Sequence, residues 1–237
     1  MLVIKQLQKI YPGTNKGIHD ISLHVEKGDI YAFIGHNGAG KTTLLKAITG
    51  IHPFDHGEVW IDGLDLQKNM LEVKRRIAYV PDNPDVYEFM TGIQYLNFIA
   101  DVFAVSASER EQRIKDYAER FEIMSSLGDL ISSYSHGMKQ KLALISALLH
   151  DPKLLIMDEP FVGLDPKAAF LLKEMMTDLT KRGGAIFFST HVLDVAEKLC
   201  NKVAIIKEGR LITSGLMSDV IKDQASLEAL FMETVNE

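Results

Sequence analysis

The chain has one cysteine in 237 residues, Cys200, so no internal disulfide can form; a lone thiol fits a reducing compartment and reads as a small apolar filler. No run of five or more basic residues occurs. With a net charge of −6 and a sequence pI near 5.8, nucleic acid is not expected as the main partner. No apolar stretch approaches the ~18 residues that a membrane span needs. The opening residues Met1-Leu2-Val3-Ile4-Lys5 carry no secretory apolar region or cleavage site. The chain is therefore expected to be cytoplasmic, and any membrane span to belong to another polypeptide. Internal repeats and low-complexity segments are also missing. What remains, 46% hydrophobic and 24% charged residues, is the composition of an ordinary globular protein of one large domain, or a core with a subdomain.

The most informative stretch runs from Gly35 to Thr43. The apolar residues Ile30 to Ile34 predict a buried strand, Gly35-His36-Asn37-Gly38-Ala39-Gly40-Lys41-Thr42-Thr43 a glycine loop, and Leu44 to Ile48 a helix closed by Gly50. This is G-x-x-x-x-G-K-[ST] in its confirming context of strand, loop and helix. Gly35, Gly38 and Gly40 are expected to allow positive φ and the close approach of backbone amides to an anion. Lys41 would reach the β- and γ-phosphates, Thr42 would help to hold Mg2+, and Thr43 would face the α-phosphate. The alternative is a glycine turn that merely connects strand to helix tightly.

Along the chain, Ile21, Leu23 and Val25 alternate with polar residues, predicting a half-buried strand. Met1 to Leu7 would be its partner beyond a turn at Tyr11-Pro12-Gly13. Val59 to Ile61 is a further short strand before Asp62-Gly63. Lys74 to Val80 leads into another, ending at Pro81. From Asp82 to Ser133 the spacing becomes helical, with helices expected over Thr91–Ala104 and Ser108–Phe121 and Ser108 as an N-cap. The aromatic residues Tyr87, Phe89, Tyr95, Phe98 and Phe103 are expected mostly in the core of this segment, with an exposed docking groove near Val86 to Met90 as the other reading. Then the α/β alternation resumes. A helix capped by Ser135 runs to Leu149, Leu154 to Met157 form a strand, Pro166 opens a helix to Lys181, and Ala185 to Ser189 form another strand. A helix over Val192–Leu199 and a strand over Val203–Ile206 follow. The fold class is α/β, a phosphate-loop core with a mostly parallel sheet, an N-terminal antiparallel β subdomain and a helical subdomain. The expected boundaries are 1–81, 82–133, 134–210 and a short tail at 211–237, with no further domain.

Asp158-Glu159 emerges where the strand Leu154–Met157 ends, the place where a phosphate loop on a neighbouring strand would also open. Asp158 is the candidate for orienting Mg2+ or its waters, and Glu159 for polarising an attacking water. A solvated surface pair is the alternative. His191 ends the strand Phe187-Phe188-Ser189-Thr190 and could face the same site, or be a structural histidine.

Taken together these motifs resemble the nucleotide-binding subunits of ATP-binding-cassette (ABC) transporters, over essentially the whole chain. The Leu-Ser-Gly-Gly-Gln signature of that family appears here as Tyr134-Ser135-His136-Gly137-Met138, matching at Ser135 and Gly137. The resemblance implies that two cassettes dimerise head to tail, the signature of one closing over ATP held by the other. It also implies that Tyr11 is the aromatic that stacks on adenine, that Phe161 to Asp165 is the loop coupling the two sites, and that His191 is the switch histidine. The chain departs from the family after Tyr79-Val80-Pro81, where a glutamine that reaches Mg2+ and the water is expected and Asp82-Asn83-Pro84 stands instead. Asp82 is a further metal candidate, or the initiator of an Asp-Asn-Pro turn.

The expectation is thus an ATPase with ATP and Mg2+ as cofactors. It would be catalysed by Lys41, Glu159 and His191, peripheral on the inner face of the membrane, paired with a second cassette and driving a separate permease. Export of peptide, antibiotic or lipid is the favoured task, since the motifs and short tail resemble bacterial exporter cassettes. The alternatives are a soluble ABC protein, as in cluster assembly, and a phosphate-loop GTPase or small-molecule kinase. For the last pair the chain lacks an Asn-Lys-x-Asp-like guanine element and leaves the second anion site at Ser135 unexplained.

Overall fold

The computed structural model describes residues 1–84, 86–222 and 224–236, without the side chains of 235 and 236. In chain order the strands are β1 (Leu2–Ile10), β2 (Gly17–Val25), β3 (Ile30–Ile34), β4 (His56–Ile61), β5 (Leu64–Asp65), β6 (Ile77–Val80), β7 (Leu154–Asp158), β8 (Ala185–Thr190), β9 (Lys202–Lys207) and β10 (Arg210–Leu216). The helices are α1 (Lys41–Ile48), α2 (Met70–Arg76), α3 (Gly92–Val102), α4 (Ala107–Arg120), α5 (His136–Leu148), α6 (Pro166–Lys181), α7 (Leu193–Leu199), α8 (Met217–Val220) and α9 (Leu227–Asn236).

Two sheets organise these elements. One is antiparallel, in the order β2-β1-β4-β5; the other has six strands in the order β10-β9-β3-β8-β7-β6 and is parallel except where β10 joins β9. The central strands of the larger sheet, β3, β7 and β8, are buried throughout, as expected of parallel strands covered on both faces. Their residues alternate between two cores. Tyr31, Phe33, Ile156 and Phe187 pack with α1 and the antiparallel sheet, while Ala32, Ile34, Met157 and Phe188 pack with α5, α6 and the helical segment. Because β3, β7 and β8 run in register and in one direction, their carboxyl ends, and the loops after them, open together.

Four local expectations are corrected. Lys74 to Arg76 lead into β6 at Ile77, but as the end of a helix: they close α2, whose single buried residue, Val73, gives the sequence no apolar stripe to show. The N-cap of α4 is Ser106, whose hydroxyl accepts from Glu109 N, and Ser108 lies inside the helix. Of the five aromatic residues expected mostly in the core, Tyr95 is buried but Tyr87, Phe89 and Phe98 are exposed by 46, 79 and 39%. Tyr87 instead packs against Phe89, Phe98 and Tyr95, so the rings satisfy one another at the surface. Finally, Gly35 does not have positive φ, although Gly38 (82°) and Gly40 (108°) do. Gly35 is needed for space, since a Cβ there would sit 2.7 Å from both the Ile206 side chain and its carbonyl oxygen.

Candidate functional site

The loop after β3 turns through left-handed Gly38 and Gly40, and α1 starts at Lys41 with no side-chain cap. The first-turn amides therefore have no intrahelical acceptor and face the loop, an arrangement that receives an anion. Gly40 is itself packed: a Cβ would come within 3.0 Å of the Gly17 carbonyl oxygen. The Lys41 side chain folds back under the loop, donating to the carbonyl oxygens of Gly35 at 2.6 Å and His36 at 3.3 Å.

The carboxylates come from β7. Thr42 Oγ1 donates to Asp158 Oδ2 at 2.6 Å, although 116 residues separate the two. Ser189, on the neighbouring β8, donates to Asp158 Oδ1 and accepts from Glu159 N at 3.1 Å. Burial pushes the Asp158 carboxyl above the ordinary carboxylate range; the Ser189 and Thr42 donors pull it back, and the charges of Asp82 and Glu159 add to the rise. A cation placed among these groups reverses that balance. Glu159 takes φ 47°, an uncommon value for a residue with a side chain. Its Oε1 lies 3.4 Å from Lys41 Nζ, a charge contact rather than a hydrogen bond. Its Oε2 lies 2.9 Å from His191 Nδ1 and accepts from His191 N at 3.2 Å.

These groups border a cavity of about 300 Å³ lined by the glycine loop, Tyr11, Lys16, Gly17, Lys41, Thr42, Thr43, Asp82, Asp158 and Glu159. His36 and Asn37 also line it, the His36 ring resting against Phe231 of α9 at 4.7 Å between centroids. Tyr11 stands at its mouth with its hydroxyl 3.3 Å from Thr43 Oγ1. Asp82 faces the same cavity while its Oδ1 accepts from Asn83 N at 2.8 Å, so the turn and the site share one carboxylate.

Ser135 and Gly137 do not line this cavity. Ser135 caps α5, accepting from Met138 N at 3.3 Å. Gly137 and His136 abut Gly163, where an added Cβ would lie 2.7 Å from the His136 ring, and Lys141 pairs with Asp165 at 2.6 Å. The start of α5 is thus fastened to the loop 161–165 that follows Glu159, and not to its own phosphate loop.

Lys16, Gly17 and Ser189 escaped the sequence reading. Ser189 stands two residues before His191 in a strand expected to end at the site, so its position was the available signal; Lys16 and Gly17 reach the cavity through the β1–β2 pairing, which no local motif announces.

The chain matches the family model described as "ABC transporter" over residues 18–162. It belongs to the ABC transporter family. This ABC ATPase is 32% identical over 220 residues to the ABC transporter ATP-binding protein NatA of Bacillus subtilis, covering 92% of this chain and 89% of that one. It is 31% identical to the linearmycin resistance ATP-binding protein LnrL of Bacillus subtilis, covering 93% and 70%. A solved structure described as the ATP binding subunit of an ABC transporter superposes with a TM-score of 0.94 at 34% identity, covering 99% of both chains. Against a further ABC transporter ATP-binding protein, from Nostoc, this chain spans 61% of the relative's length.

Among the described residues no helix is long and apolar enough to cross a membrane. Nor do three or more His, Cys, Asp or Glu side chains converge there as a metal cage. The oxygen donors Thr42 and Asp158, with Asp82 across the cavity, are nevertheless the hard ligands that suit Mg2+, an ion usually held by one or two carboxylates together with substrate phosphates and water.

Proposed function

We propose that this ABC ATPase holds MgATP in the cavity above α1 and uses its hydrolysis, as one of two cassettes in a dimer, to drive a separate membrane permease. The observation that carries the reading is the joining of Lys41, Thr42, Asp158 and Glu159 around one anion-receiving cavity, by contacts of 2.6 to 3.4 Å.

In this reading the α1 amides and Lys41 receive the phosphates, Lys41 exchanging its contacts with Gly35 and His36 for them. Thr42 and Asp158 would hold Mg2+, which would offset the negative charge of the phosphates. Glu159 polarises the attacking water, and His191, bonded to Glu159 Oε2 by both ring and backbone, fixes that carboxylate. Tyr11 offers its ring to the base of the nucleotide. Catalysis is positioning and electrostatics, with no covalent intermediate.

The position of Ser135 and Gly137 outside the cavity supports their use by a second copy: α5 presents a helix N-terminus away from its own nucleotide, linked to Glu159 through the 161–165 loop. We take residues 82–133 as a helical subdomain hinged at Pro81 and Pro84. The superposing structure is an ATP binding subunit of an ABC transporter, which supports a permease encoded elsewhere, and the place of this chain would then be the inner membrane face. The linearmycin resistance for which LnrL is named supports export as the task, with peptide, antibiotic or lipid as the cargo. The test is Mg2+-dependent ATP turnover by the purified chain and its co-purification with a membrane protein. Turnover that survives Lys41→Ala would remove the cavity from the mechanism.

A further inference from the structure

The phenol oxygen of Tyr79 is buried and has no hydrogen-bond partner among the described residues. A hydroxyl left in that state costs about 1–3 kcal/mol, so it calls for an acceptor that a loaded site would supply. Its place in the sheet narrows the choice. Tyr79 lies opposite Ile156 in the parallel β6–β7 pairing, and side chains two residues apart share a face, so Asp158 projects from the same face one step nearer the cavity. Three residues beyond Tyr79, Asp82 lines that cavity. Burial, then the charges of Asp158 and Asp82, push the phenol's ionisation upward, which keeps it a neutral donor beside two anions.

Each oxygen of Asp158 already accepts one hydrogen bond, from Thr42 and from Ser189. Asp82 is different: Oδ1 accepts from Asn83 N, and Oδ2 has no donor among the described residues. We propose that the Tyr79 hydroxyl is a positioning donor for Asp82, bonding its carboxylate and turning it toward the divalent cation when nucleotide enters. This rests on the reading of the cavity as an MgATP site. It gives the acidic residue at position 82 a neutral partner that offsets part of its charge without competing with the cation.

The test is equilibrium binding of a non-hydrolysable ATP analogue across a Mg2+ titration, for the parent, Tyr79→Phe, Asp82→Asn and the double variant. Tyr79→Phe deletes one oxygen and keeps the ring. The half-saturating Mg2+ concentration is expected to rise about threefold to tenfold in each single variant, the size of one ordinary net hydrogen bond, and no further in the double variant. Analogue binding in EDTA should stay near the parent's, and the nucleotide-free thermal midpoint of Tyr79→Phe should not fall, since the unpaired hydroxyl itself is removed; lost packing would lower it. An unchanged Mg2+ requirement in Tyr79→Phe, or additive shifts in the double variant, overturns the inference. Asp82→Asn, in an exposed turn, tests it independently of how Tyr79→Phe folds: no shift there removes Asp82 from the cation and the role of Tyr79 with it. If the parent itself shows no Mg2+-linked binding, the MgATP reading falls as well; if the parent does and Tyr79→Phe matches it, only the present inference falls.

Discussion

His191 Nδ1 lies 2.9 Å from Glu159 Oε2 and thereby joins the end of β8 to the residue after β7. The other Glu159 oxygen faces Lys41 at 3.4 Å, so one carboxylate is steered from two sides before any nucleotide arrives. On the proposed reading, hydrolysis should depend on that carboxylate's charge, and binding should not.

Glu159→Gln should keep ATP binding while turnover falls by roughly 10²–10⁴, the usual contribution of a positioned base. The trapped species should be an ATP-bound dimer, visible as an ATP-dependent rise in light scattering. Turnover at the parent rate would remove Glu159 from the role of base.

Ser135→Ala and Gly137→Asp should each depress turnover through the neighbour's nucleotide. Mixing an excess of Lys41→Ala subunits with Ser135→Ala subunits gives heterodimers with one intact composite site and one doubly defective one, so part of the activity should return. Demonstrably mixed dimers that stay inactive would rule out sharing of sites between subunits.

Gly35→Ala should destabilise the fold by about 1–3 kcal/mol, the usual range for forcing an atom into a packed site. Trimming Ile206 to Ala should not restore it, because the backbone carbonyl of residue 206 is as close as the side chain. Chemical denaturation of the single and double variants distinguishes this from a simple side-chain clash.

Asp29 governs an acid limb of stability. Burial alone would raise its pKa, but the Glu26 backbone N–H, the Asn201 amide and Lys202 outweigh burial and hold the carboxyl below the ordinary value. A depressed folded pKa means the contribution is fully present above the unfolded value of about 3.9 and is lost as pH falls through the folded one. Asp29→Asn should thus lower stability by about 1–3 kcal/mol near neutrality, with the gap to the parent closing below about pH 4. Thermal midpoints measured from pH 3 to 7 check the sign.

The sequence announced the site because its chemistry is local. Gly35 to Thr43 sit between a buried strand and a helix, and Asp158 and Glu159 follow an all-apolar strand, so spacing alone placed them at strand ends. What it could not show were relations across the sheets. The bond of Ser189 to Asp158, the unpaired Tyr79 hydroxyl and the approach of Lys16 and Gly17 all depend on which strands are neighbours. The helix α2 was hidden for a different reason: Leu71 is 77% exposed and Met70 38%, so its apolar residues do not mark the buried face. Likewise Ser106 and Ser108 are equivalent as caps by composition, and only the reach of the Ser106 hydroxyl to Glu109 N separates them.

If Glu159 is the base proposed above, its φ of 47° sets folding against turnover at a single position. A left-handed backbone costs a residue with a side chain roughly 1–2 kcal/mol, a penalty that glycine escapes. Selection for thermal resistance alone would therefore be drawn toward Glu159→Gly, and would discard the proposed base in doing so. Heat-tolerant variants raised without a demand for hydrolysis should be sequenced at this codon first.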